Sequence, residues 1–167
     1  MHETMIETVR QNRDNTVLLV FCLGFAESVP FLSLLVPSTI LFIAIGVLYA
    51  EAGGSFWHLA LAGGIGAFLG DLITFLTGWR YRYTLAGVWP FNRNPELLPR
   101  SQTFFQRYGA AGVFGSKFLG AIRAFVPLSA GMLEMPFALF ILASLSSSLL
   151  WAGVFIAPGF GISLLLH

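Results

Sequence analysis

Residues 27–39 read ESVPFLSLLVPST, and the fold turns on how this stretch is placed. It lies inside a run from Thr16 to Ala50, 35 residues whose single charge is Glu27. A bilayer core takes about 20 helical residues, so the run is too long for one crossing and too short for two crossings and a loop. Pro30 and Pro37 stand in its middle, flanked by Ser28, Ser33, Ser38 and Thr39. Proline inside a helix removes a hydrogen bond and clashes with the turn before it. The stretch therefore predicts a re-entrant hairpin: one helix goes in to about Glu27, the chain breaks, and a second helix returns from about Thr39. Irregular backbone at that depth is tolerated only where it is buried in protein or lines a wet cavity.

Composition agrees. Hydrophobic residues are 56% of the 167, charged residues 10%, and mean hydropathy is +0.79, whereas an average soluble domain carries about 25% charge. An integral membrane protein is expected. A net charge of +1 offers no field to gather nucleic acid. The one cysteine, Cys22, excludes a disulfide framework and a cysteine zinc cage, and is expected as a small core residue. No histidine and carboxylate set has the make-up of a catalytic metal site. Ser116 and Lys117 are helical neighbours whose side chains diverge by about 100°, not a nucleophile and its base. Gly64-Ile-Gly66 follows no strand and is no dinucleotide loop. The expectation is no enzyme, no cofactor and no metal.

The rest of the chain repeats the opening pattern. A second apolar run from Ala52 to Gly78 has Asp71 as its only acid, and the region from Gly109 onward holds Lys117, Arg123 and Glu134 among the breakers Gly112, Gly115, Gly120, Pro127 and Gly131. Sliding the chain on itself by 90 places Val36-Pro37 on Val126-Pro127, Glu27 on Lys117, Ser33 on Arg123 and Gly63 on Gly153. Each unit has a hairpin that does not cross and a helix that does, so the fold class expected is all-α, with two inverted repeats. Residues 1–15 form an interfacial helix without the order of a cleaved signal peptide. Repeat 1 covers 16–79, with a re-entrant hairpin over about 16–50 and a transmembrane helix over about 55–79. Residues 80–108 are a connector with an amphipathic helix beginning near Pro99. Repeat 2 covers 109–167, with a hairpin over about 109–133 and a transmembrane helix over about 135–163. The connector carries Arg80, Arg82, Arg93, Arg100 and Arg107 against Glu96, which places it on the cytoplasmic side and both termini opposite. Small residues recur every four positions at Ala62, Gly66, Gly70, Thr74 and Gly78, with a matching stripe at Ser144, Ser148 and Ala152, so that helices can approach closely.

Glu27, Asp71, Lys117 and Arg123 fall where an ionisable side chain costs about 2.5–3.5 kcal/mol on insertion scales. They can act as two ion pairs that hold the hairpins, or as a charged cavity for an ion or a lipid headgroup. An apolar pair of like shape is often no less stable than a buried ion pair, which favours the cavity. Pro127 deprives the Arg123 carbonyl of its helical partner, and Pro37 does the same to Ser33. Ser38, Thr39 and Ser129 are expected to start the returning half-helices, whose free N–H groups, with Lys117 and Arg123, make an anion site for a phosphate. Lys117 and Arg123 are six apart, about 120° around an ideal helix, so they converge only if the chain at Gly120 leaves the helix or the guest lies between them. The offset of 90 predicts that Glu27 faces Lys117. His58 beside Trp57 is expected as an interfacial anchor, and Glu51 and Glu134 as solvent-facing acids.

These residues also carry a resemblance. Phe25-Ala-Glu27 with Pro30 and Val36-Pro37-Ser-Thr39, Gly66-Ala-Phe-Leu-Gly70-Asp71, Phe105-Gln-Arg-Tyr-Gly109, and above all Gly115-Ser-Lys117-Phe-Leu-Gly-Ala-Ile-Arg123-Ala-Phe-Val-Pro127-Leu-Ser-Ala-Gly131 resemble the DedA family, the bacterial branch of the VTT-domain or SNARE-associated Golgi protein superfamily. The resemblance spans about residues 20–160. It implies a multi-pass protein of the bacterial inner membrane with two opposed re-entrant hairpins, acting in the return of undecaprenyl phosphate across the membrane. Some family members are tied to proton motive force, and some eukaryotic relatives are scramblases. By position, Glu27 matches the hairpin acid, Asp71 the acid of the Gly-Asp motif and Arg123 the arginine before the proline. Lys117 stands where arginine is usual, which keeps the charge but loses a planar fork. Thr39 stands where a second acid is frequent. The chain ends without the further terminal helix common in the family, as a short member or one module of a larger assembly would.

The expected function is a DedA-type transporter of a lipid phosphate such as undecaprenyl phosphate, with no covalent chemistry. The phosphate would lie between Lys117, Arg123 and the half-helix starts at Ser38, Thr39 and Ser129. Glu27 and Asp71 would compensate charge or exchange a proton, and Pro30, Pro37, Gly120 and Pro127 would break the hairpins. The alternatives are an energy-independent phospholipid scramblase and a structural membrane protein with charge-paired hairpins. Membrane lipids are the expected partners, with homo-oligomer formation left open.

Overall fold

The computed structural model describes residues 2–30, 32, 38–87, 92–119, 123 and 125–165, with only the backbone of His2, Ser38, Thr39, Ala86, Leu97, Leu98 and Ser101. Ser33, Pro37 and Gly120 lie outside the described residues. Among the described residues the chain is all helix: α1 (His2–Gln11), α2 (Arg13–Ser28), α3 (Ser38–Glu51), α4 (Phe56–Ala86), α5 (Leu97–Ser116), α6 (Phe125–Met132) and α7 (Phe137–Leu165). Two of them, over Phe56–Leu85 and Phe137–Leu165, are long and apolar enough to cross a membrane.

Local sterics set several boundaries. Val29 ends α2 with φ −92° and ψ 127°, the extended conformation that the ring of Pro30 imposes on the residue before it. In α5, Gly109 takes φ 50° and ψ −128°, open to glycine and almost no other residue, and divides an outer segment from the inner one that carries Ser116. At the end of α3, Gly53 has φ +74°, while the Gly53 N–H donates to Ala50 O and the Gly54 N–H to Tyr49 O. That is the paired closure of a Schellman turn. The same turn closes α6, where the Glu134 N–H donates to Gly131 O and the Met135 N–H to Ala130 O, but its left-handed residue is Glu134, at φ 55°. An arginine holds each turn: Arg13 donates to Ala52 O, and Arg82 pairs with Glu134. These turns are 81 residues apart, not 90. Pro127 precedes Glu134 by 7 residues and Pro37 precedes Gly53 by 16, because α6 has 8 residues against 14 in α3 and because Pro127 stands inside its helix whereas Pro37 stands before the first residue of α3.

Two apolar clusters flank a polar layer. One joins Val20, Phe42, Tyr49, Leu59, Ala67, Trp151, Ala152 and Ile156 from α2, α3, α4 and α7, and the other joins Phe75, Val113, Ala130, Phe140 and Ala143 from α4, α5, α6 and α7. The small-residue stripe of α4 serves two neighbours: a Cβ at Gly70 would lie 2.6 Å from Phe25 O of α2, one at Gly66 would meet Phe21 O, and one at Gly78 would meet Leu128 O of α6. Val20, Gly24 and Ser28 are the buried positions of α2, so Cys22, about 200° round from Val20, is exposed and not in the core.

Gly66→Ala should lower stability by about 1–3 kcal/mol, since the Phe21 carbonyl is backbone and cannot rotate away. Gly161→Ala, with nothing within 4 Å of its Cβ, should be neutral or slightly stabilising. Thermal melting of both variants in detergent checks this; equal melting would mean that α2 and α4 are not in close contact.

Candidate functional site

The polar layer gathers side chains from five segments around two ion pairs. Lys117 follows the last residue of α5, Ser116, where a cation also meets the negative end of the helix. Its Nζ pairs with Asp71 Oδ2 of α4 and lies 3.2 Å from Ser28 Oγ, the last residue of α2. Ser144 of α7 donates to the same Asp71 oxygen at 2.7 Å. Asp71 and Lys117 are each 4% exposed, so neither is reached from bulk water. Thr74, one turn beyond Asp71, donates to Gly70 O at 2.8 Å.

The second pair is Arg123 with Glu27: Nη2 lies 3.0 Å from Oε1, and both side chains are largely buried. The contact is not an aligned hydrogen bond. Arg123 Nη2 and Glu27 Oε2 are buried without a hydrogen-bond partner among the described residues. The Arg123 guanidinium also lies over the Trp151 ring, its Cζ 4.3 Å from the centroid. Ser144, Ser148 and Trp151 follow one another at i, i+4 and i+7 on one face of α7. Between the residue that touches Asp71 and the one under Arg123, then, stands Ser148, wholly buried, its Oγ without a partner. Buried polar atoms are nearly always satisfied, so three unmatched ones along one seam mark a place where a further polar group would find partners.

The four expected charged residues meet here, in a different order. Glu27, Asp71, Lys117 and Arg123 converge, but Lys117 pairs with Asp71 and Arg123 with Glu27, where the sequence offset predicts Glu27 with Lys117. The reason is α4, which packs against both α2 and α6 and so brings Asp71 to Lys117. Ser129 is not a cap: it lies within α6, four residues after Phe125, and Pro127 occupies the first turn, where its missing N–H costs nothing. Ser38 and Thr39 are the first residues of α3, and Pro30 follows the end of α2. Pro37 and Gly120 fall outside the described residues. His58 and Trp57 are exposed, and Glu134 is exposed but paired with Arg82. Among the described residues no group of three His, Cys, Asp or Glu could hold a metal ion.

The family model of the VTT domain matches residues 36–161. The chain belongs to the VTT-domain, or DedA, family. The matched segment of this VTT-domain chain contains Asp71, Lys117 and Arg123, while Glu27 precedes it. Inner membrane protein YabI of Escherichia coli is 34% identical over 152 residues, which are 90% of this chain and 59% of YabI. Uncharacterized membrane protein BU139 of Buchnera aphidicola is 26% identical over 159 residues, 95% of this chain and 62% of the relative. Uncharacterized membrane protein slr0232 of Synechocystis is 28% identical over 161 residues, 91% of this chain and 68% of the relative. The chain thus spans about three fifths of the length of the first two, and with such relatives it is a membrane protein. No solved structure matches it.

Sequence reading passed over Trp151 and gave Ser28, Ser144 and Ser148 no role in the site. The signal was there for the serines, since hydroxyls at i and i+4 in the apolar α7 need a polar neighbour. Nothing in the sequence marked Trp151.

Proposed function

We propose that this chain is the core of a DedA-type transporter that carries a lipid phosphate, such as undecaprenyl phosphate, across the bacterial inner membrane. The observation that carries the reading is the pair of buried acid–base contacts with Glu27 Oε2, Arg123 Nη2 and Ser148 Oγ still unmatched. Two well-packed apolar pairs would serve stability as well, whereas the two unmatched donors, Arg123 Nη2 and Ser148 Oγ, suit an anionic guest once Glu27 turns away or takes up a proton. The guest's phosphate competes with Glu27 for Arg123 and with Asp71 for Lys117, and each released carboxylate can then take up a proton. No covalent step is involved, and nucleic acid has no part in it.

The multi-pass, inverted-repeat arrangement belongs to the same proposal. At 1.5 Å per residue, α3 spans about 21 Å and α6 about 12 Å, short of a hydrocarbon core of about 30 Å, which suits hairpins that go in and return. The shared turn, followed three residues later by Phe56 in one case and Phe137 in the other, opens each long apolar helix. The arginine-rich segment near residues 80–107 lies on the cytoplasmic side.

The test is transport in proteoliposomes loaded with a labelled polyprenyl phosphate beside a labelled zwitterionic phospholipid. Selective movement of the phosphate lipid is expected. Equal movement of both would make the protein a scramblase, and movement of neither would leave the charged layer a structural device.

A further inference from the structure

Arg123 has two partners of different kinds, a carboxylate and an aromatic ring. Its five N–H donors lie in the plane of the guanidinium and point out from its edge, and Glu27 meets that edge through Nη2. The guanidinium carbon also lies over the Trp151 ring, with Cζ 4.3 Å from its centroid. The indole is itself enclosed: it is 1% exposed, with Phe42 of α3 edge-on at 5.2 Å and Phe155 at 5.2 Å on its own helix. The Glu27 contact, by contrast, involves one carboxylate oxygen and leaves the other unmatched. A guest oxyanion can displace Glu27 from the edge, but it has no way to displace the ring.

We infer that Trp151 is the positioning residue for Arg123, a second partner that cannot titrate and that holds the guanidinium carbon over its ring so that the N–H donors are free to turn from Glu27 to the phosphate oxygens of the guest. The inference rests on the transport reading above and adds a residue to it. When Glu27 is neutralised or displaced, a buried arginine without the ring would be an uncompensated charge and would swing toward any other carboxylate or toward water. Desolvated cation–π contacts are strong enough to hold it. Phe42 links this to the first hairpin segment, because a shift of α3 would move the ring and with it the arginine. Ser148, one turn before on the same face of α7, is placed to take one of the guest's remaining oxygens.

Two measurements decide this. The first is a melting cycle in detergent with Glu27→Gln, Trp151→Leu and the double variant. If both groups hold Arg123, the double variant should melt about 3 °C or more below the sum of the single losses; additive losses would overturn the inference. The second is binding of a short-chain polyprenyl phosphate to the full chain in detergent. Trp151→Leu should bind about tenfold more weakly than the parent, and Trp151→Phe, which keeps a π face, should recover most of that loss while melting no higher than Trp151→Leu. Equal binding by the Phe and Leu variants would reduce Trp151 to packing. A parent protein that binds no polyprenyl phosphate overturns the transport reading and the role of the freed edge, while the melting cycle still decides whether Trp151 holds Arg123.

Discussion

Asp71→Leu should cost about 3–5 kcal/mol of stability, the largest loss expected from any single change in the polar layer. Lys117 is 4% exposed and its Nζ has Asp71 and Ser28 as partners, so without the carboxylate a buried ammonium keeps one neutral hydroxyl among the described residues. For a chain of this size the loss corresponds to roughly 6–20 °C in detergent melting. Adding Lys117→Met should recover most of it, since the second change removes the stranded charge and returns apolar volume. The double variant is then the decisive protein: it should melt within a few degrees of the parent and carry no polyprenyl phosphate. A double variant that is both stable and active would mean that this pair only holds α4 to α5.

Arg123→Ala should lower transport of the phosphate lipid by about 100-fold or more, because it removes a charge-assisted fork and strands Glu27 in the interior. Glu27→Gln added to it should restore melting but not transport, which separates the stranded acid from the missing donor. Lys117→Arg should stay active. It keeps the cation, at the cost of fitting a larger head where Nζ now touches both Asp71 and Ser28. Initial rates in proteoliposomes, read beside melting, check the set. Should Lys117→Arg be as damaging as Arg123→Ala while both proteins fold, Lys117 and Arg123 do not form a phosphate clamp.

Features that depend on a residue and its immediate neighbours were legible in the sequence. Val29 is extended because Pro30 follows it, and α2 ends there. The run of apolar residues from Phe56 makes a long helix whatever it packs against, and four ionisable residues in apolar surroundings have to find one another because lipid offers them nothing. That much needs only sterics, periodicity and solvation. Pairing is different: it depends on how each helix is rotated about its axis and how far it slides along its neighbour. The glycines of α4 set both, admitting the Phe21 and Phe25 carbonyls on one side and that of Leu128 on the other, so that Asp71 arrives at Lys117 and leaves Glu27 to Arg123. The same packing puts Trp151 beneath a guanidinium 28 positions away in sequence, a contact for which neither residue carries a local sign. The offset of 90 aligned prolines and so set Glu27 against Lys117, whereas the two matching turns, at Gly53 and Glu134, stand 81 residues apart. Sequence alone determined that this is a helical membrane protein with charges gathered inside it; which acid holds which base, and which ring lies beneath the arginine, was decided by tertiary packing, because that choice belongs to the rigid placement of whole helices.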